Sequence, residues 1–203
     1  MSKSEFDYHT ALQSKKFETI KINGIKKFIS KKCIGFQYDF IKENKLSKEY
    51  DEVDFFYVEV PYPKGIKIFD KRANIEQERN LDDFAQSLNK IINSTDKPFA
   101  ICTSKNLHKK LLKPNMIYDI KAYISNLTFA IYNWNKKKEF SNSTDLMKYV
   151  AYNYKCIGDF CCGYGQPLFE FLKYGGKKII ASDYNDNCIA ILKLKMEEYE
   201  KNI

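Results

Sequence analysis

The stretch "CIGDFCCGYGQPLFEF", residues 156–171, decides the fold. A short apolar run closes at Asp159, glycines follow at 163 and 165, and Pro167 opens a segment with helical spacing. Strand, glycine turn and helix in that order bring the N–H groups of a helix start beside a strand end, which is how nucleotide-type cofactors are held. Gly163 and Gly165 let the backbone turn sharply and approach a ligand with no Cβ in the way. Pro167 suits the first helical position, where its missing N–H costs nothing. The following strand, "KKIIASD", ends at Asp183, eighteen residues beyond Gly165. A carboxylate there can accept both hydroxyls of a ribose.

Working outward, only two parallel strands, 155–160 and 178–183, belong to this half of the chain. Parallel strands are buried on both faces and occur in larger sheets. The missing strands must therefore come from before residue 150. "DEVDFFYVEVPYP" (51–63), β-branched and aromatic and stopped by two prolines, is the clearest of them. Its end is the expected neighbour across the point where strand order reverses. "KCIGFQYDF" (32–40) reads as a strand ending near Asp39, and "KPFAICTS" (97–104) as a short buried strand. "MIYDIKAYI" and "LTFAIYNW", split at Ser125-Asn126, read as an antiparallel hairpin. The helices expected are "NLDDFAQSLNKIIN" (80–93), with Leu81, Phe84, Leu88, Ile91 and Ile92 on one face, "STDLMKYVAYNY" (143–154), one from Pro167, and a last one from about Asn187. The lysines of "NKKKEFSN" are expected to be solvated. The fold class is α/β: a doubly wound, mostly parallel sheet with an antiparallel hairpin, its site completed by strands made earlier in the chain. Residues 1–30 are expected to be an extension, and 31–203 the domain.

Composition narrows the function. Of 203 residues 44% are hydrophobic and 15% aromatic, enough for a core of one domain. The net charge of +8 has two readings, nucleic-acid binding or the Lys-, Asn-, Ile-, Tyr- and Phe-rich usage that an AT-rich genome encodes. Yet Arg72 and Arg79 are the only arginines, which argues against extensive bidentate reading of guanine edges. The six cysteines form no CxxC pair and the two histidines, His9 and His108, stand apart, so no metal site is expected. Reduced thiols, no apolar signal core and no membrane-spanning run lead to the expectation of a cytoplasmic protein.

With these motifs in hand, residues 143–196 resemble the C-terminal half of the circularly permuted, beta-type S-adenosylmethionine-dependent DNA amino-methyltransferases. In that family a helix leads into a "DPFCGSG"-like loop and then a strand with an acidic end. "DEVDFFYVEVPYPKG" is similar to the segment carrying the family's (D/N)PP(Y/F/W) motif. The resemblance implies a class I methyltransferase-like Rossmann fold, S-adenosyl-L-methionine as cofactor, and no metal. It implies that Asp159, Phe160, Gly163 and Gly165 cradle the methionine end, that Asp183 binds the ribose, and that Asp39 binds the adenine amine. It further implies Glu59, Pro61 and Tyr62 as catalytic: acceptors for the target amine from Glu59 and the backbone near Pro61, with Tyr62 stacking on a flipped base. The implied reaction is methyl transfer to an exocyclic amine of a nucleobase, N6 of adenine in DNA rather than RNA.

Two features depart from the family pattern. The catalytic stretch reads Glu59-Val60-Pro61-Tyr62 instead of Asp-Pro-Pro-Tyr, and only "NKKKEFSN" stands where a target-recognition region is usual. They support the alternative of a catalytically silent subunit that binds nucleic acid or supports an active partner.

Overall fold

The apolar runs and the glycine turn assemble into one sheet. A computed structural model describes residues 24–60, 79–121, 126–134 and 138–203. Its strands are β1 (Lys27–Ile29), β2 (Cys33–Gln37), β3 (Phe55–Glu59), β4 (Phe99–Thr103), β5 (Met116–Lys121), β6 (Asn126–Tyr132), β7 (Cys156–Asp159) and β8 (Lys178–Asp183). The helices are α1 (Phe40–Glu43), α2 (Leu81–Asn93), α3 (Lys105–His108), α4 (Ser143–Asn153), α5 (Gln166–Lys173) and α6 (Asp186–Lys201).

The strand order is β1-β2-β8-β7-β3-β4-β6-β5. Pairs β2–β8, β8–β7, β7–β3 and β3–β4 are parallel; β1–β2, β4–β6 and β5–β6 are antiparallel. The two late strands thus sit at the centre, flanked by strands made earlier. Their composition suits that place: every residue of β4 and β7, and Phe55–Val58 of β3, is buried, as parallel strands covered on both faces require. Residues 27–29 form β1, an edge strand of the sheet.

Among the described residues, each face carries three helices. Leu146, Met147 and Val150 of α4, Leu168, Phe171 and Leu172 of α5, and Ile189, Leu192 and Met196 of α6 fill one side. Phe40 of α1, Phe84, Leu88, Ile91 and Ile92 of α2, and Leu107 of α3 fill the other, around Phe56 and Phe99 stacked at 4.6 Å. The unit β7–α5–β8 therefore crosses one face and β3–α2–β4 crosses the opposite one. Winding reverses between β7 and β3, and a doubly wound sheet opens a crevice at the carboxyl ends of the strands there.

Local signals explain the helix starts. Asn80 caps α2 by accepting from Asp82 and Asp83 N–H, while Asp83 reaches back to the Asn80 N–H. Helix α5 begins at Gln166, one residue before the expected Pro167, which falls in its first turn. Strand β3 ends at Glu59; Pro61 and Tyr62 lie outside the described residues. Among the described residues no helix is long and apolar enough to cross a membrane.

Candidate functional site

Strand alternation sends residues of one parity to one face. In β7, Ile157 packs with α4–α6, so Asp159 faces the same side; Ala181 does the same for Asp183 in β8, and Tyr57 for Glu59 in β3. Three carboxyl groups thus end three neighbouring strands, on one side of the crevice where winding reverses.

Two of them hold the glycine loop. Asp159 Oδ1 accepts from the Cys161 N–H at 2.8 Å. Asp183 Oδ2 accepts from the Gly163 N–H at 2.9 Å, and its Oδ1 from the Asn185 N–H at 3.0 Å. The Gly165 N–H closes a turn onto the Cys162 carbonyl at 2.8 Å. Gly163 and Gly165 have φ of +47° and +72°, the left-handed region that glycine enters without penalty. Gly165 also needs its bareness for packing: a Cβ there would lie 2.7 Å from Leu192 Cδ1. A Cβ on Gly163 would meet nothing within 4 Å, so the tip of the loop faces open space.

The electrostatics follow from burial. Asp159 is 1% exposed, and burial pushes its carboxyl well above the ordinary carboxylate range. The Cys161 N–H opposes that shift, while Asp183 and Glu59 add to it. Burial likewise pushes Asp183 up, to about 6, against the N–H groups of Asn185 and Gly163, the Cys188 thiol and Arg79. Glu59 keeps exposed surface yet is crowded by protein, and that crowding pushes its carboxyl up against a long hydrogen bond of 3.4 Å from the Tyr57 hydroxyl. Burial also drives the Cys161 and Cys162 thiols far up, so neither offers a thiolate.

The other expected site residues are placed as follows. Asp39 caps α1, its Oδ1 accepting from Ile41 and Lys42 N–H, and its Oδ2 is paired with Arg79. Phe160 is 1% exposed; its ring packs 5.0 Å from Phe40 in the core of the opposite face, which leaves its backbone alone to line the loop. Val60 is held in line with β3: its N–H donates to the Cys102 carbonyl at 3.1 Å, and its carbonyl accepts from the Thr103 hydroxyl at 3.0 Å.

Two residues here escaped sequence reasoning. Arg79 lies with its guanidinium carbon 4.7 Å from the Tyr184 ring centroid, just past β8. The scarcity of arginine was the available signal. Tyr50 lies beneath the site, fully buried, its hydroxyl donating to the Asp159 carbonyl at 3.0 Å and 2.6 Å from Ser182 Oγ. It ties the ends of β7 and β8 together, and nothing in "SKEYDE" marks it.

No protein-family model matches this sequence, and no curated protein matches it. Solved structures do. TTHA0409 of Thermus thermophilus, assigned as a DNA modification methylase, aligns in its complex with S-adenosyl-L-methionine at a TM-score of 0.51 and 8% identity, over 83% of this chain and 94% of that one. This chain has that methylase's fold. The selenomethionine derivative of the same protein aligns at 0.50 and 10% identity, over 83% and 95%. M1.HpyAVI aligns at 0.46 and 11% identity, over 81% and 98%.

Proposed function

We propose that this chain binds S-adenosylmethionine at the glycine loop and transfers a methyl group to an exocyclic amine of a nucleobase, N6 of adenine in DNA being the leading target. The observation that carries the reading is the row of Asp183, Asp159 and Glu59 on adjacent strand ends around a glycine loop with open space at Gly163. The TTHA0409 complex, a DNA modification methylase by assignment, holds S-adenosyl-L-methionine on the same fold. The order of strands supports a circular permutation, because β7 and β8, last in the chain, pair with strands made first.

The bound cofactor supplies a methyl group on a positively charged sulfur. Asp183 accepts one backbone bond on each oxygen and a third bond from the Cys188 thiol, which leaves acceptor capacity for a ribose hydroxyl. Asp159 fixes the loop that the methionine end would lie against. Glu59, at the end of β3 across the reversal, is the acceptor that would orient the target amine, its nitrogen lone pair turned toward the methyl carbon. Pro61 and Tyr62 complete the proposed catalytic set. Rate then comes from positioning and from preorganised charge. Incubation with methyl-labelled S-adenosylmethionine and DNA, followed by nucleoside mass spectrometry, tests it: labelled N6-methyladenine supports the reading, and label in no nucleoside refutes it.

A second reading, a catalytically silent subunit, is favoured by Glu59 itself. Its carboxyl is one methylene longer than the family's aspartate, which shifts the acceptor from the position that the family's motif sets, and burial pushes it above the ordinary carboxylate range. A cofactor that binds without methyl transfer would support it.

A further inference from the structure

The strand pairing around the site runs out unevenly. Among the described residues, β7 pairs with β8 out to Asp159, opposite Ala181, but with β3 only as far as Gly158, opposite Phe56. The Asp159 carbonyl, at the end of β7, is met by a side chain. The Tyr50 hydroxyl donates to it at 3.0 Å, from the single turn Lys48–Tyr50 on the α1–α3 side of the sheet. Tyr50 is itself anchored: its N–H donates to the Ser47 carbonyl at 3.0 Å, and its carbonyl accepts from Lys97 Nζ at 3.1 Å. A carbonyl only accepts, so the single phenol proton goes to Asp159, and Ser182 Oγ, 2.6 Å away, donates to the phenol oxygen. Burial drives the phenol well above its ordinary range, so it keeps that proton. Ser182 precedes Asp183, and its carbonyl accepts from the Cys162 N–H at 3.0 Å. The chain Ser182–Tyr50–Asp159 therefore joins both carboxyl-bearing strand ends and, through Cys162, the loop they hold.

We propose that Tyr50 is a positioning residue of the cofactor site: its hydroxyl stands in for the rung that β3 does not supply and sets the spacing of Asp159 and Asp183. Those two carboxylates hold the loop by the Cys161 and Gly163 N–H groups, so a change in their spacing is a change in the shape of the loop. A ligand that spans the ribose and methionine ends feels that change although Tyr50 touches neither. Packing alone does not ask for the hydroxyl. The ring lies 5.5 Å from Phe36 and from Phe56 and 6.4 Å from Phe160, where a phenylalanine would fill the same place. In that apolar cluster a hydroxyl loses its water, a cost that only its bonds to the two strand ends offset. The proposal rests on the reading of the glycine loop as the S-adenosylmethionine site.

The test is calorimetric titration of S-adenosylhomocysteine into the full chain, wild type and variants, each paired with a melting temperature. Tyr50→Phe keeps the ring and removes only the hydroxyl; it is expected to weaken binding about fivefold. Ser182→Ala breaks the same chain, so the double variant should bind no more weakly than Tyr50→Phe alone. Ile91→Val is the control for stability. It thins the same core from the last turn of α2, at the other end of the strands, and should lower the melting temperature while keeping wild-type affinity. Wild-type affinity in Tyr50→Phe, or an equal loss in Ile91→Val, would overturn the proposal and leave Tyr50 as core alone. Losses that multiply in the double variant would overturn the shared chain. A wild type that binds no S-adenosylhomocysteine would refute the cofactor reading, and the proposal with it.

Discussion

Arg79 and Asp39 are joined by an ion pair at the end of β2, with the Arg79 side chain 10% exposed and its guanidinium over Tyr184. The pair takes the Asp39 oxygen that the α1 cap leaves over, which is the oxygen an adenine amine would need. Arg79→Met removes that competitor and keeps an apolar stem over Tyr184. S-adenosylhomocysteine should then bind about fivefold more tightly by calorimetry, because a charge-assisted bond no longer has to be broken. Weaker binding in the variant would mean that Arg79 builds the pocket.

Asp183 gives the cofactor reading a pH signature. Its folded carboxyl is pushed up to about 6 by burial, above the ordinary 3.8, so the folded state holds the proton more tightly than the unfolded one. Its contribution to stability is therefore complete below about pH 4 and is lost as pH rises through about 6. Ribose hydroxyls need the ionised form as acceptor, so cofactor binding should run the other way. Affinity should fall about tenfold per pH unit below pH 6 and level off above it. A flat titration between about pH 5 and 7 would remove Asp183 from the site.

The two loop glycines should separate cleanly. Gly165→Ala combines a positive φ with a Cβ 2.7 Å from Leu192 Cδ1, and should cost several degrees of melting temperature. Gly163→Ala carries only the φ penalty of about 1–2 kcal/mol, but its methyl enters the open space at the loop tip. It should remain folded and lose cofactor binding. Equal binding by Gly163→Ala and wild type would place the ligand elsewhere.

Val60 bears on the missing proline of the catalytic stretch. Its N–H donates to the Cys102 carbonyl, so Val60→Pro removes a bond at a buried position instead of restoring a rigid loop. The variant should be less stable by about 1–3 kcal/mol in denaturant unfolding. Unchanged stability would show that the Thr103 hydroxyl alone holds this segment.

Much of this architecture is legible in the chain because its signals are local. The β-branched run before Glu59, the apolar face of α2 and the glycine turn after Asp159 each act within a few residues or turns, and so reveal strands, helix and loop. The central placement of β7 and β8 is also legible, since a lone parallel pair cannot bury both its faces. Contacts between distant segments are not legible. Tyr50 reaches the Asp159 carbonyl across 109 positions, and Arg79 reaches Asp39 across 40, with no periodicity to announce either. Phe160 shows the converse: its place in the loop motif suggests a ligand contact, while strand parity turns its ring to the opposite core.

The central claim is that the glycine loop and Asp183 form one S-adenosylmethionine site. Equilibrium binding of radiolabelled S-adenosylmethionine to the wild type and to Asp183→Asn, near neutral pH, tests it most directly. Asparagine keeps the size but loses the charge and one of the two acceptors that hold the Gly163 and Asn185 N–H groups, a local cost at the strand end that leaves both cores of the sheet intact. The account predicts saturable binding by the wild type and at least a tenfold loss in the variant. No saturable binding by the wild type, or equal binding by both, would contradict it.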